Sequence, residues 1–175
     1  DDNGNIIKQT DNKGNVITFE YDALNRLTSR SSGNNTITYI YDTEMIGQLT
    51  QITTPFITKD YTYDNKARVL TETITIDSQT LNKLYEYDDL DRIISIQMPN
   101  GQEIDYEYNE QGLLESISNE ITDIDYNEFG MPIAKYYGNS LVTEFEYYPL
   151  NFKLKRINTE DLQDLSYEYD VVGNI

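Results

Sequence analysis

The stretch Phe19-Glu20-Tyr21-Asp22-Ala23-Leu24-Asn25-Arg26-Leu27 decides how this chain is read. Phe19 and Tyr21 flank a charged residue, which is the two-residue period of a strand with one face buried. Asn25, three beyond Asp22, suits a φ above zero, so the chain reverses there, and Leu27 opens an apolar return strand. One hairpin of this kind would be a weak signal. Its repetition is what makes it strong.

The Tyr-Asp or Tyr-Asn pair recurs at Tyr21-Asp22, Tyr41-Asp42, Tyr63-Asp64, Tyr87-Asp88, Tyr108-Asn109, Tyr126-Asn127 and Tyr169-Asp170, and Tyr147-Tyr148 fills the remaining slot. Successive tyrosines lie 20, 22, 24, 21, 18, 21 and 22 residues apart. Two residues before each stands Phe19, Tyr39, Tyr61, Tyr85, Tyr106, Ile124, Phe145 or Tyr167. Three after the Asp position stand residues suited to a left-handed backbone, Asn25, Asp91, Gly112, Gly130, Asn151 and Gly173; Ala67 breaks this pattern and Gly47 fits with a two-residue insertion. At the far end of each unit, Asp11–Asn15, Ser32-Gly33-Asn34, Pro99-Asn100-Gly101 and Gly138-Asn139-Ser140 read as turns, and Asn100-Gly101 predicts a type I′ turn. The expected fold is all-β: tandem antiparallel hairpins of about 21 residues forming a twisted or curved sheet. Return-strand pairs such as Leu49/Ile52, Leu114/Ile117 and Leu154/Ile157 are three apart, which calls for either a β-bulge or burial on both faces.

Composition narrows the function. Among 175 residues there are 16 Tyr, no Cys and no His, which excludes a thiol nucleophile, an imidazole base, a disulfide framework and the usual zinc site. The net charge of −18 argues against nucleic acid and anionic membrane surfaces. No apolar run reaches the ~20 residues needed to span a bilayer as a helix. No cofactor is expected, and no catalytic residue is assigned.

The runs Tyr169–Ile175 (Tyr-Asp-Val-Val-Gly-Asn-Ile) and Tyr21–Leu27 resemble the repeat of the Rhs, or YD-repeat, family, and the resemblance extends over essentially the whole chain. The stretch Leu162–Asp170, with Tyr137-Gly138-Asn139 upstream, is most similar to arrays of the insecticidal toxin-complex and SpvB-like branch. The resemblance implies hairpins spiralling into a hollow shell around a toxic domain, in a secreted or surface-exposed bacterial protein. The partners it implies are the remainder of the parent chain and an encapsulated toxin domain. Both ends of the sequence fall inside a repeat, so residues 1–175 are expected to be a single array excised from a longer one, with strand edges prone to self-association.

Rival readings concern the carboxylates and the tyrosines. Residues 1–87 carry a net charge of −4 and residues 88–175 a net −14. Much of that excess, Asp105, Glu107, Asp123, Asp125, Glu144, Glu146 and Glu168, falls on one strand face, read as a solvated surface that deters edge pairing. The turns Asp1–Asn5 and Asp11–Asn15 resemble calcium loops only faintly, since neither has a bidentate Glu downstream. The tyrosines are read as interlayer packing, each with its hydroxyl on a backbone or Asp partner. A glycan-binding or adhesive surface is the alternative. The Asp of each pair is expected to accept backbone N–H groups within its turn.

Overall fold

The structure is a computed structural model describing residues 1–175. It is all-β. Sixteen antiparallel strands follow one another as hairpins, and the strand order in the sheet is the chain order. Two compact units are distinguished, residues 1–86 with 96–102, and residues 87–95 with 103–175.

The first unit holds β1 (Lys8–Thr10), β2 (Val16–Tyr21), β3 (Leu27–Ser32), β4 (Asn35–Tyr41), β5 (Leu49–Thr53), β6 (Ile57–Tyr63), β7 (Val69–Ile76) and nearly all of β8 (Gln79–Tyr87). β9 (Ile93–Gln97) is shared between the two units. The second unit holds β10 (Glu103–Tyr108), β11 (Leu114–Ile117), β12 (Ile121–Tyr126), β13 (Pro132–Tyr137), β14 (Val142–Tyr147), β15 (Leu154–Thr159) and β16 (Gln163–Ser166). Even-numbered strands from β2 to β14 each end on a repeat tyrosine, and the following odd-numbered strand is the return.

Alternation in the sequence appears directly as alternation in burial. In β2, Ile17, Phe19 and Tyr21 are half-buried while Val16, Thr18 and Glu20 are exposed, and β10 repeats this with Ile104, Tyr106 and Tyr108. In the second unit Ser95, Ile124, Ala134 and Thr143 are buried, and in the first unit Thr50 and Ile96. No large side chain is wholly withdrawn from solvent. Backbone pairing between strands therefore carries much of the cohesion that a thick core supplies elsewhere.

The three-residue apolar spacing resolves as a bulge. Glu20 faces Ser29 but Tyr21 faces Leu27, leaving Thr28 as the extra residue. The same shift occurs at Thr50, Leu70, Glu115, Ile133 and Lys155, always one residue into the return strand. An extra residue reverses the side-chain alternation, so Leu49 and Ile52, three apart, return to one face.

Three turn expectations are corrected. Asn100-Gly101 is not type I′: only Gly101 has a positive φ, 82°, and the Gly101 N–H donates to Met98 O at 2.9 Å. Pro99, with its φ locked near −65°, sets a type I turn over Pro99-Asn100 and leaves the left-handed residue to follow it. The two consecutive positive φ values of a I′ turn occur instead at Asp77 (47°) and Ser78 (65°) between β7 and β8. Asn151 is not left-handed, because its loop is one residue longer and Phe152 takes the position at 56°. Ala67 adopts φ 64° despite its side chain, since the turn around it imposes the conformation.

Two substitutions test this backbone. Ala67→Gly removes left-handed strain of about 1–2 kcal/mol against a smaller entropic cost, and should raise stability by about 0.5–1 kcal/mol. Gly138→Ala places a Cβ 2.8 Å from Asn119 O and should lower it by about 1–3 kcal/mol. Urea unfolding midpoints with unchanged slope would report both.

Candidate functional site

The repeat tyrosines are all half-buried and stand where β-strand pairing runs out. Leu27 lies outside the β3–β4 ladder, whose pairs begin at Ser29, so its carbonyl faces β4 without a ladder donor. Tyr41, at the end of β4, donates its hydroxyl to that carbonyl at 3.0 Å. The arrangement recurs from Tyr21 to Ile6 O (3.0 Å), Tyr63 to Leu49 O (2.6 Å), Tyr108 to Ile93 O (2.9 Å), Tyr126 to Leu114 O (2.6 Å), Tyr147 to Pro132 O (2.9 Å) and Tyr169 to Leu154 O (2.9 Å). Each bond joins a tyrosine-bearing segment to the return segment of the preceding repeat. Burial pushes the Tyr63, Tyr126 and Tyr147 hydroxyls above the ordinary phenol range, which keeps them protonated as donors. Tyr87 closes β8 at the corresponding point of its repeat.

The residue after the tyrosine closes the turn. Asp22 Oδ1 accepts the N–H groups of Leu24 and Arg26, both at 2.9 Å, and Oδ2 accepts Arg26 Nε at 2.7 Å. Asp64 holds Lys66 and Arg68 in the same way, Asp88 holds Leu90 and Arg92, and Asp170 holds Val172 and Asn174. Asn109 and Asn127 accept the same two backbone N–H groups at 3.0 Å each. Asp42 sits in the longer loop and accepts the Gly47 N–H at 2.6 Å. Tyr148 occupies the slot without capping; its hydroxyl goes to Tyr167 O at 2.9 Å, and Asn151 receives the Lys153 N–H at 3.1 Å. The Asp1 and Asp11 turns use their carboxylates in the same internal way, on Asn3 and Asn5, and on Lys13 and Asn15. Asp22, Asp88 and Asp170 all lie below the usual carboxyl range, chiefly through the backbone N–H of the residue four ahead.

A basic side chain links one turn to the next. Arg26 lies over the Tyr41 ring, 4.4 Å from its centroid, and makes a bidentate pair with Asp42 at 3.0 and 2.6 Å. The guanidinium, with the Gly47 N–H, holds the Asp42 carboxyl down at about 2. Arg92 covers Tyr108 at 4.1 Å and Lys153 covers Tyr169 at 4.7 Å. These cations escaped the sequence reading, although the five-residue offset Tyr21/Arg26, Tyr63/Arg68 and Tyr87/Arg92 marks them.

The seven carboxylates of the acidic strip are all exposed. Asp125 and Glu144 stand on either side of Ala134 in cross-strand register, and Glu107 faces Ser116. Tyr136 donates to Asp125 at 2.8 Å, and that carboxylate pushes the phenol up. Glu146 is held low, first by Lys155 (2.9 Å) and then by Arg156 (3.2 Å). The neighbouring hollow of about 560 Å³, lined by Glu110, Glu115, Asp123 and Asp125 among others, is open to solvent. No group of three or more carboxylates converges as a cation site. The structure gathers hydrogen-bonding groups into repeated seams instead of one reaction centre.

Such an array of bulged hairpins, tied by tyrosine hydroxyls and closed by Asp or Asn, defines a β-hairpin repeat protein. Residues 1–37 match the family model described as RHS Repeat, and the later hairpins resemble that repeat. It is 30% identical over 142 residues to the tRNA3(Ser)-specific nuclease WapA of Bacillus spizizenii, covering 79% of this chain and 5% of that protein. Its fold matches the crystal structure of TcdB2-TccC3 with a TM-score of 0.80 at 20% identity, covering 99% of this chain and 11% of the other. The Photorhabdus luminescens Tc holotoxin pore matches with a TM-score of 0.78 at 19% identity, over 99% and 11%. The chain thus spans a small part of the proteins it matches.

Removing one seam hydroxyl measures its weight. Tyr63→Phe and Tyr126→Phe each leave a strand-end carbonyl without its donor and should cost about 1–2 kcal/mol, read as a lower urea midpoint at constant slope.

Proposed function

We propose that this chain is a non-enzymatic wall segment: one array of YD hairpins, residues 1–175, within a longer bacterial protein whose hollow β-shell encloses a toxin or other cargo domain. Its partners are the remainder of its own polypeptide and the enclosed domain, and its place is a secreted or cell-surface toxin. The repeat tyrosines and their following Asp or Asn are its structural anchors. The observation that carries the reading is the seam. The hydroxyls of Tyr21, Tyr41, Tyr63, Tyr108, Tyr126, Tyr147 and Tyr169 are spent on the preceding repeat, so these recurring polar groups serve continuity of the sheet. The fold of the Tc complexes and the identity to a nuclease far longer than this chain support the same reading. A sugar-binding face is less well supported, because the repeat tyrosines are half-buried with their hydroxyls committed.

Limited proteolysis of the parent polypeptide tests it. The enclosed domain should survive protease while the array is intact. Joint Tyr41→Phe and Tyr63→Phe substitution, removing two bonds of about 1 kcal/mol each, should speed its cleavage by about tenfold or more. Cargo cut equally fast with and without the array would end the proposal.

A further inference from the structure

The turn-closing position differs chemically along the chain. Asp22 and Asp42 act as carboxylates, and their mutual link runs through one guanidinium. Asn109 and Asn127 accept the same backbone N–H groups through a neutral amide oxygen. An amide does not titrate, whereas a carboxylic acid loses its charge and surrenders part of its acceptor capacity to its own proton.

We propose that acid loosens the array at preset places: the turns closed by a carboxylate, the Asp22 turn and its tie to the Asp42 turn among them, open first, while the turns closed by Asn109 and Asn127 stay shut.

The surroundings fix the sign. Asp22 faces Arg26 on its own turn, Asp42 and the Tyr41 ring on the following repeat, and on the preceding turn the Asn3 and Asn5 amides, which bond Asn25 Oδ1. Asp1 on the preceding turn is occupied by Asn3 and Asn5, and Glu44 belongs to the Asp42 loop. Arg26 is the one cation bound to both aspartates. Both carboxyls titrate lower than in an unfolded chain, Asp22 chiefly through the Arg26 N–H and Asp42 chiefly through the Arg26 side chain. Their stabilisation is therefore whole above the unfolded value near 4 and is lost as pH falls below it, for Asp42 towards about 2. The Asn109 and Asn127 turns carry no carboxylate at the capping position. Glu110 and Glu128 beside them lie outside the capping bonds.

Amide hydrogen exchange followed by NMR, with rates corrected for the intrinsic pH dependence, reads this turn by turn. Between pH 6 and pH 2.5 the protection of the Leu24, Arg26 and Gly47 amides should fall by about tenfold or more, while Gln111, Leu113, Phe129 and Met131 change by less than about twofold. Asn109→Asp should transfer the acid loss to Gln111 and Leu113, because Arg92 over Tyr108 stands as Arg26 does over Tyr41. Asp22→Asn, which keeps an acceptor for both backbone N–H groups, should abolish the loss at Leu24 and serves if the first variant does not fold. Parallel loss at Asp and Asn turns, or no change in the pH response of the folded variants, overturns the proposal.

Discussion

The bulge in each return strand creates the demand that the rest of the structure answers. One extra residue ends the ladder early and leaves a carbonyl at the strand's start, Leu27 or Leu114 for example, facing a neighbour with no N–H to offer. An unpaired carbonyl away from water costs about as much as a lost hydrogen bond. A phenol at the end of the adjacent strand reaches it across the gap, and no shorter hydroxyl would. This explains why tyrosine recurs where phenylalanine or isoleucine would serve packing as well, and why the residue two before it is free to be Phe19, Ile124 or Phe145.

Period and alternation made the hairpins legible, because a side chain every second position and an apolar return after each Tyr-Asp leave one solution. The bulge was half legible: the three-residue spacing of Leu49/Ile52 and Leu154/Ile157 demanded either a shift or a second buried face, and only backbone register separates these. Turn types were less legible. Asn-Gly favours I′ in isolation, but Pro99 just before it admits another solution of equal reach, and Asp77-Ser78 takes the I′ geometry with residues whose preference for it is weaker. Ala67 shows the same order of forces: the Asp64 cap and the paired strands hold it left-handed against its own preference. The bridging cations were visible as an offset of five from the tyrosine, yet that offset acquires meaning only once neighbouring repeats are known to lie side by side.

Charge is distributed to spare the sheet. Apart from Glu168, the acidic residues of the strip lie on tyrosine strands, and Ala134 and Ser116 occupy the return-strand positions between or opposite them. Like charges directly opposite are thereby avoided, and Asp125 and Glu144 are separated by two strand spacings, about 10 Å. That distance is close to one Debye length at physiological salt, so repulsion is mostly screened. The capping carboxylates Asp22, Asp64, Asp88 and Asp170 are a different population, each consumed by backbone N–H groups.

No repeat in this chain is complete alone. Tyrosines such as Tyr41 and Tyr126 bond the repeat before them, and Arg26, Arg92 and Lys153 each cover the tyrosine of the repeat after. Stability in such a scheme is a sum over seams, and a seam can be strengthened or weakened without altering the hairpins on either side. A catalytic centre needs several groups converging on one point in a place that excludes water. A scheme that spends its recurring polar groups one seam at a time builds extent, and its chemistry varies from seam to seam through Asp or Asn after each tyrosine and a cation or none five residues on.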